Sequence, residues 1–452
     1  MSISDAAVPS FYFVTEAGLA APPGAVPAAV PPWDVEAVRR DFPILSERVN
    51  SQPLVFLDNA ATTQKPTAVT ERLARFYAHE NSNVHRGAHE LAARATDAYE
   101  DARKAVADFL GAPSADSIVF TRGTTEAINL VAQSWGRENI RPGDQIVVSH
   151  LEHHANIVPW QRLAAERDAE LKVIPVDDAG QLILGAYQEL LGPRTRLVAV
   201  TQVCNALGTV VPVTEVIQAA HEAGAVTLID GAQAVSHLPV DVRSLDADFY
   251  AFSGHKVFGP TGIGALYGKP ELLRAMPPWQ GGGNMIRDVT FEHTTYADPP
   301  ARFEAGTGAL AQAVGLGAAL RYVDRLGREG IAAYERSLLI DATSALEGIP
   351  GLRIIGTAAE KAAIISFTLA GYSPQEVGAA LNDAGIAVRS GHHCAQPILR
   401  RFGLEATVRA AFAMYNTLEE ADKLAEVLRK LARRRLAGRQ AAVPQPHRAS
   451  PV

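Results

Sequence analysis

Short runs that are apolar throughout recur along the middle of the chain: SIVF, QIVVSH, LKVIPV, RLVAVTQV, VTLID, DFYAFSG and GIGALYG, all between residues 117 and 268. A strand with one wet face alternates apolar and polar residues, so unbroken apolar runs suit strands buried on both faces by crossover helices. Amphipathic stretches such as TEAINLVAQSWG and VTEVIQAAHEAG lie between several of them. A longer helical pattern, AARATDAYEDARKAVADFLG, starts at Ala92 and ends on a glycine stop at Gly111. From about Leu54 to Gly268 the alternation predicts an α/β fold with a mostly parallel sheet. Ligands in such folds sit at the carboxyl ends of strands, so polar residues just after these runs are where chemistry is expected.

Beyond Gly283 the pattern changes. The helical segments AVGLGAALRYVDRLG and GIAAYERSLLIDATSALEGI are followed by the strand candidates LRIIG and AAIISFTLA and a terminal helix from about Leu418 to Arg435. We therefore expect a large α/β domain over residues 54–305 and a small α+β domain formed by 34–53 and 306–436. Arg433, Arg434 and Arg435 would complement the dipole at the end of the last helix. Asp34 is placed to cap the short helix VEAVRR. Before it, Pro22, Pro23, Pro27, Pro31 and Pro32 interrupt helix and strand alike, so residues 1–33 read as an extended or disordered Ala/Pro-rich arm. Residues 437–452 read as a disordered tail.

Composition narrows the function classes. Hydrophobic residues make up 47% and charged residues 20%, enough for a large core. The 42 Lys and Arg against 49 Asp and Glu give a formal charge of −7, so nothing electrostatic points to nucleic acid or an anionic membrane. Cys204 and Cys394 are the two cysteines, too few for a disulfide framework. No apolar run approaches a membrane span, and the first residues lack the basic flank of a targeting peptide. The expectation is a cytoplasmic protein with no membrane or nucleic-acid partner.

Five clusters carry candidate chemistry. In TRGTTEAINL, Thr124 or Thr125 caps a helix after a strand, an arrangement that suits a phosphate but is equally an ordinary cap. In SHLEHHANIVPW, His150, His153 and His154 follow a strand without the spacing of a zinc site; an imidazole stacked on a flat cofactor is the alternative use. Asp230 ends the run VTLID ahead of Gly231 and Gln233; a buried carboxylate there would pair with a cation such as a pyridinium, and the simpler reading is an Asp-Gly turn. Lys256 in FSGHKVFG sits in an apolar setting that would lower its pKa and let it form a Schiff base, with Ser253 and His255 beside it to hold a phosphate. In VRSGHHCAQP, Cys394 follows Arg389, His392 and His393, and cationic neighbours favour a nucleophilic thiolate; no metal site is expected. Arg409 in ATVRAAFAMYNT suits a carboxylate or a surface ion pair.

The series LDNAATTQKP, VHRGAHELA, TRGTTEAINLVAQSWG, EHHANIVPWQ, DGAQAV, FSGHKVFGPTGIG, PPWQGGGNMI, RFEAGT, VRSGHHCAQP and AMYNT, in this order, resembles the group II (SUF-type) cysteine desulfurases and the related selenocysteine lyases. The similarity runs from about Asp34 to about Leu431. It implies the aspartate-aminotransferase-like fold type I and pyridoxal 5′-phosphate as cofactor. By the resemblance, Lys256 is the Schiff-base lysine and moves the Cα proton, Asp230 pairs with the ring nitrogen, Gln233 faces the ring hydroxyl, and His153 stacks on the ring. Thr124, Thr125, Ser253 and His255 would bind phosphate, with Thr307 supplied by the partner of a homodimer. Asn205 and Arg409 would hold the substrate carboxylate, Arg389 would line the approach to Cys394, and His85 and Arg86 would lie near the mouth.

The activity so implied turns L-cysteine into L-alanine and leaves a persulfide on Cys394, to be passed to a thiol-bearing acceptor protein for iron–sulfur cluster assembly or sulfur storage. A selenocysteine lyase acting on L-selenocysteine and an aminotransferase are the alternatives. The chain departs from the family at Gly308, where many relatives have proline, and at Cys204, which reads as a packed core residue. The N-terminal arm, with its FYF segment, is similar to that of desulfurases carried as cargo by family 2 encapsulin shells, which would place the enzyme inside such a compartment.

Overall fold

The computed structural model describes residues 33–84 and 88–441. Most of the expected arm and the end of the expected tail therefore lie outside the described residues.

Each apolar run of the first half is a strand of one seven-stranded sheet: β1 (Ile118–Thr121), β2 (Gln145–Ser149), β3 (Glu170–Ile174), β4 (Thr195–Thr201), β5 (Val226–Asp230), β6 (Phe249–Ser253) and β7 (Gly264–Gly268). The order across the sheet is β1-β7-β6-β5-β4-β2-β3. Strands β3, β2, β4, β5 and β6 run parallel, and β7 is antiparallel to both its neighbours. The reversal has a local cause. The chain between β6 and β7 holds only a turn and a short loop, too little for the crossover that parallel neighbours need. Nearly every residue of β4, β5 and β6 is buried, as the unbroken apolar runs predict. The edge strand β3 is largely accessible. Trp135, Trp160, Leu163, Ile146, Leu228 and Phe249 belong to one core packed on this sheet.

A second sheet follows: β8 (Leu352–Ile355), β9 (Ile364–Leu369), β10 (Arg389–Gly391) and β11 (Thr407–Ala411), antiparallel throughout in the order β8-β9-β11-β10. Helices Arg328–Glu347 and Leu418–Ala441 share its apolar core through Leu338, Leu346, Leu424 and Leu428, which cluster with Phe367 and Val408. The last helix continues to Ala441, so Arg433–Arg435 lie within it and not at its end, contrary to the dipole-complement expectation. Asp34 caps the helix Val35–Arg40 as expected, its carboxylate accepting from Ala37 N–H at 2.9 Å. Val55–Phe56 pairs in parallel with Ile386–Ala387, and Asp58 bridges to Ala411, so the chain near residue 55 is bound to the smaller sheet. Among the described residues no helix is long and apolar enough to cross a membrane.

Candidate active site

Parallel strands bring their carboxyl ends to one edge of the sheet, and there a recess of about 350 Å³, counting the space at its mouth, is lined by residues that follow five different strands. Asp230 is the last residue of β5, Thr201 of β4; Lys256 closes the turn after β6; His153 follows β2; Thr124 and Thr125 follow β1. Asn205 and Gln233 complete the lining among the expected residues.

Burial dominates the electrostatics. The Asp230 carboxylate is enclosed, which pushes its pKa up, against the Ala232 N–H at 2.9 Å and the nearby Lys256 charge. Lys256 is pushed down to about 8, first by burial and then by Arg409 and Arg389, while Asp230 and Cys394 act in the opposite sense. Its amine makes no hydrogen bond among the described residues. Burial, with Lys256 next, holds the His153 imidazole at about 3, so the ring is neutral. Its Nδ1 accepts from Ala155 N–H at 3.0 Å, which fixes the ring's orientation. The recess thus combines an unpartnered amine, a buried acid and a neutral imidazole.

The threonines do not cap as expected. Helix Thr124–Val131 is capped by Gly123, and Thr124 and Thr125 are its first two residues, with their backbone N–H groups at the free helix start. Ser253 Oγ accepts from Thr124 N–H at 2.9 Å and lies 2.8 Å from Thr124 Oγ1. A Cβ at Gly123 (φ 151°) would come within 3.0 Å of Ser253 Oγ, so the close approach of β6 to this helix requires glycine. His255 is pushed down to about 4 by burial, Lys256 and Lys65. Gln233 Nε2 donates to Ala60 O at 2.6 Å.

The other wall comes from the smaller sheet. Arg409, on β11, is fully buried; it donates to Asn205 O at 2.9 Å and to Asp58 at 3.3 Å, and its Nε has no partner among the described residues. Asn205 donates to His393 O at 2.7 Å, leaving its Oδ1 without a partner. Arg389 on β10 is half exposed, 3.8 Å from Asp58. Cys394 sits in the turn after β10, where His393 and Cys394 have φ of 53° and 54°. His393 is buried and its Nε2 lies 2.8 Å from Thr407 Oγ1. The Cys394 carbonyl accepts from His154 N–H at 2.7 Å, which ties this turn to the one after β2. Thr307 is exposed and outside the recess. His85 and Arg86 lie outside the described residues. Cys204 is fully buried. Among the described residues no group of three or more His, Cys, Asp or Glu is arranged to hold a metal ion.

Three groups escaped the sequence reading. Glu152 is fully buried, its carboxyl raised to about 8 by burial, and it accepts from Ser149, Asn156 and Thr201, the last of which lines the recess. Asp58 pairs with both arginines. Lys65 donates to the His255 carbonyl at 3.2 Å and is pushed down to about 8 by burial. Each is a polar residue within a stretch that pattern alone reads as a loop.

A strand-end lysine, a buried strand-end aspartate and a helix start at one edge of a mostly parallel sheet define a class of protein. The chain belongs to the aminotransferase class-V family, which it matches over residues 55–424. Within that family it is 64% identical over 408 residues to a cysteine desulfurase of Synechococcus elongatus, covering 90% of this chain and 65% of that one. It is 54% identical over 402 residues to a cysteine desulfurase of Dickeya dadantii, covering 89% and 97%. The chain spans only 58–66% of the length of the three curated relatives that are 62–64% identical to it. Among solved structures, the Escherichia coli cysteine desulfurase CsdA superposes with a TM-score of 0.82 at 42% identity, covering 89% of this chain and 98% of that one. A cysteine desulfurase of Thermococcus onnurineus superposes with a TM-score of 0.84 at 40% identity, covering 88% and 98%.

Proposed function

We propose that the chain is a cysteine desulfurase dependent on pyridoxal 5′-phosphate, converting L-cysteine to L-alanine and holding the sulfur as a persulfide on Cys394. The observation that carries this is an amine without a partner, Lys256, in one recess with the buried Asp230, and with the Cys394 turn close enough to act on its charge. The donor set fits the cofactor. A carboxylate whose one hydrogen bond among the described residues comes from Ala232 N–H would be relieved by a cationic ring nitrogen, and the Thr125 N–H at the helix start, with the Ser253 hydroxyl beside Thr124, offers donors to an anion.

When bound, pyridoxal 5′-phosphate supplies an electron sink for the substrate's Cα carbanion. Lys256 Nζ would anchor the group and would take up the substrate's Cα proton; a pKa of about 8 suits both tasks near neutrality. Asp230 holds a proton at the ring nitrogen. Neutral His153, on the recess wall, would face the ring and could relay protons. Gln233 would serve the ring hydroxyl; Ser253 and His255, with Thr307 from a second copy, would join the two threonines at the phosphate. Arg409 receives the substrate carboxylate through its free Nε. Asn205 donates one amide hydrogen to His393 O and keeps its second for the substrate carboxylate beside Arg409. Arg389 lines the approach. Cys394 thiolate attacks the substrate sulfur: a new S–S bond forms, the Cβ–S bond breaks, and Cβ gains a proton. The net change is cysteine plus thiol to alanine plus persulfide, with no external oxidant.

The same reading assigns residues 54–305 to a large cofactor-holding domain and 34–53 with 306–436 to a small one bearing Cys394. It includes a homodimer, a thiol-bearing acceptor protein for the sulfur, and an encapsulin shell engaged through residues 1–33. Deleting those residues tests the last point, since unchanged co-purification with the shell protein would remove it.

The central test supplies L-cysteine and a reductant and measures alanine and sulfide. The wild type should yield both in equal amounts. Lys256→Ala should lose the covalent cofactor and at least about a thousandfold in rate; Cys394→Ala should keep the cofactor and lose the activity to a similar degree. Undiminished alanine formation by Cys394→Ala, or amino transfer to a keto acid at a comparable rate, would overturn the proposal. Turnover of L-selenocysteine that survives Cys394→Ala would mark a selenocysteine lyase.

A further inference from the structure

Two imidazoles from opposite walls of the cleft meet beside Cys394. His154, in the turn after β2, stacks on His392, in the turn after β10, with ring centroids 5.7 Å apart and planes inclined by 28°. Each ring also holds the backbone of the cysteine turn. His392 Nδ1 accepts from Cys394 N–H at 3.0 Å, and His154 Nε2 accepts from Gln396 N–H at 3.2 Å. The His154 backbone N–H closes the set on the Cys394 carbonyl. Neither ring lines the recess that contains Lys256 and Asp230.

Two consecutive non-glycine residues at positive φ are strained and persist only where their surroundings hold them. The stacked pair supplies that hold. A ring nitrogen accepts a hydrogen bond only when unprotonated, and burial together with His392 pushes the His154 pKa down, which keeps its Nε2 free to accept. We infer that His154 and His392 act as a two-ring latch that fixes the Cys394 turn against the wall bearing His153 and so sets where the sulfur reaches. They are positioning residues. Their effect on turnover rests on the desulfurase reading; the holding of the turn does not.

The test uses the holoenzyme in four single variants. His154→Ala and His392→Ala remove both stack and acceptor. His154→Gln and His392→Asn keep an acceptor where Nε2 and Nδ1 stood. Two readouts require no turnover: the rate at which iodoacetamide alkylates Cys394, with buried Cys204 as internal control, and amide exchange across residues 392–396. Both alanine variants should gain about tenfold in each, and the two isosteres should stay within about threefold of wild type. In turnover the alanine variants should lose about tenfold in kcat with KM for L-cysteine and cofactor content unchanged. Wild-type alkylation and exchange in both alanine variants would overturn the latch, as would isosteres that behave like alanine. A wild type inactive on L-cysteine overturns the desulfurase reading instead, while alkylation and exchange still judge the latch.

Discussion

The two walls of the cleft are built by different means. Along the edge of the seven-stranded sheet, Asp230 ends a strand that is buried almost throughout, and Lys256 closes the turn after a strand that is wholly buried. Opposite, Cys394 hangs from a strand of three residues, in a turn with two left-handed non-glycine residues, and is partly accessible. The first wall excludes water and so moves pKa values: Asp230 up, Lys256 to about 8, His153 to about 3. The second leaves the Cys394 sulfur partly accessible. Groups whose charge is tuned by burial lie at the ends of strands of five residues, and the partly accessible thiol follows one of three.

After Lys256, the largest effect expected from breaking the first wall is at Asp230. Asp230→Asn keeps the shape and removes the charge that would hold a proton on the ring nitrogen. Truncating one partner of a buried charge pair costs about 2–5 kcal/mol, so kcat should fall by roughly a hundredfold or more. Steady-state rates at equal cofactor occupancy check this; a loss below about threefold would mean that burial of Asp230 has no chemical purpose.

A smaller effect separates the two arginines near Asp58. The Arg409 side chain is 1% exposed and that of Arg389 47%. Arg409→Ala should cut kcat/KM for L-cysteine by roughly a hundredfold, mostly through KM, because it leaves a buried carboxylate site without its cation. Arg389→Ala, a solvent-screened charge, should cost about threefold. Equal losses would show that exposure does not rank these residues.

Legibility in the sequence followed the same division. The seven apolar runs are the seven strands of the large sheet, and the polar residues after them line the recess, because burial on both faces leaves an unmistakable pattern. Strands β10 and β11 did not stand out. RSG has no apolar residue to pattern, and the TVRAA strand holds a fully buried arginine, which hydropathy alone cannot tell from a surface one. The reversal of β7 shows only in its short connection from β6, since a fully buried strand looks the same in either direction. Thr124 and Thr125 were read as caps where Gly123 does the capping, because a glycine cap leaves no side-chain signal. The family resemblance drew Cys394, Lys256 and Arg409 together; pattern alone left each of them open.

Glu152 offers the smallest effect on turnover and the sharpest check on how the deep wall is built. Its carboxyl is raised from 4.5 to about 8, by burial first and by Asp230 as well, against hydrogen bonds from Ser149, Asn156 and Thr201. An acid whose folded pKa exceeds its unfolded value binds more protons in the native state between the two. Stability is therefore fully present below about pH 4.5, falls as pH rises toward 8, and levels off above that. The slope from one such group is at most ~1.4 kcal/mol per pH unit. Glu152→Gln cannot ionise. It should start less stable at pH 5, because its amide meets the Asn156 amide that already donates there and that accepts from Trp160 Nε1, and the deficit should shrink steadily up to pH 8. Since Glu152 does not line the recess, turnover at pH 7 should stay within about threefold. Denaturant unfolding of both proteins from pH 5 to 8 measures the difference. Parallel curves would mean that the acid is ionised throughout, and that the deep wall tolerates a bare charge where burial says it should not.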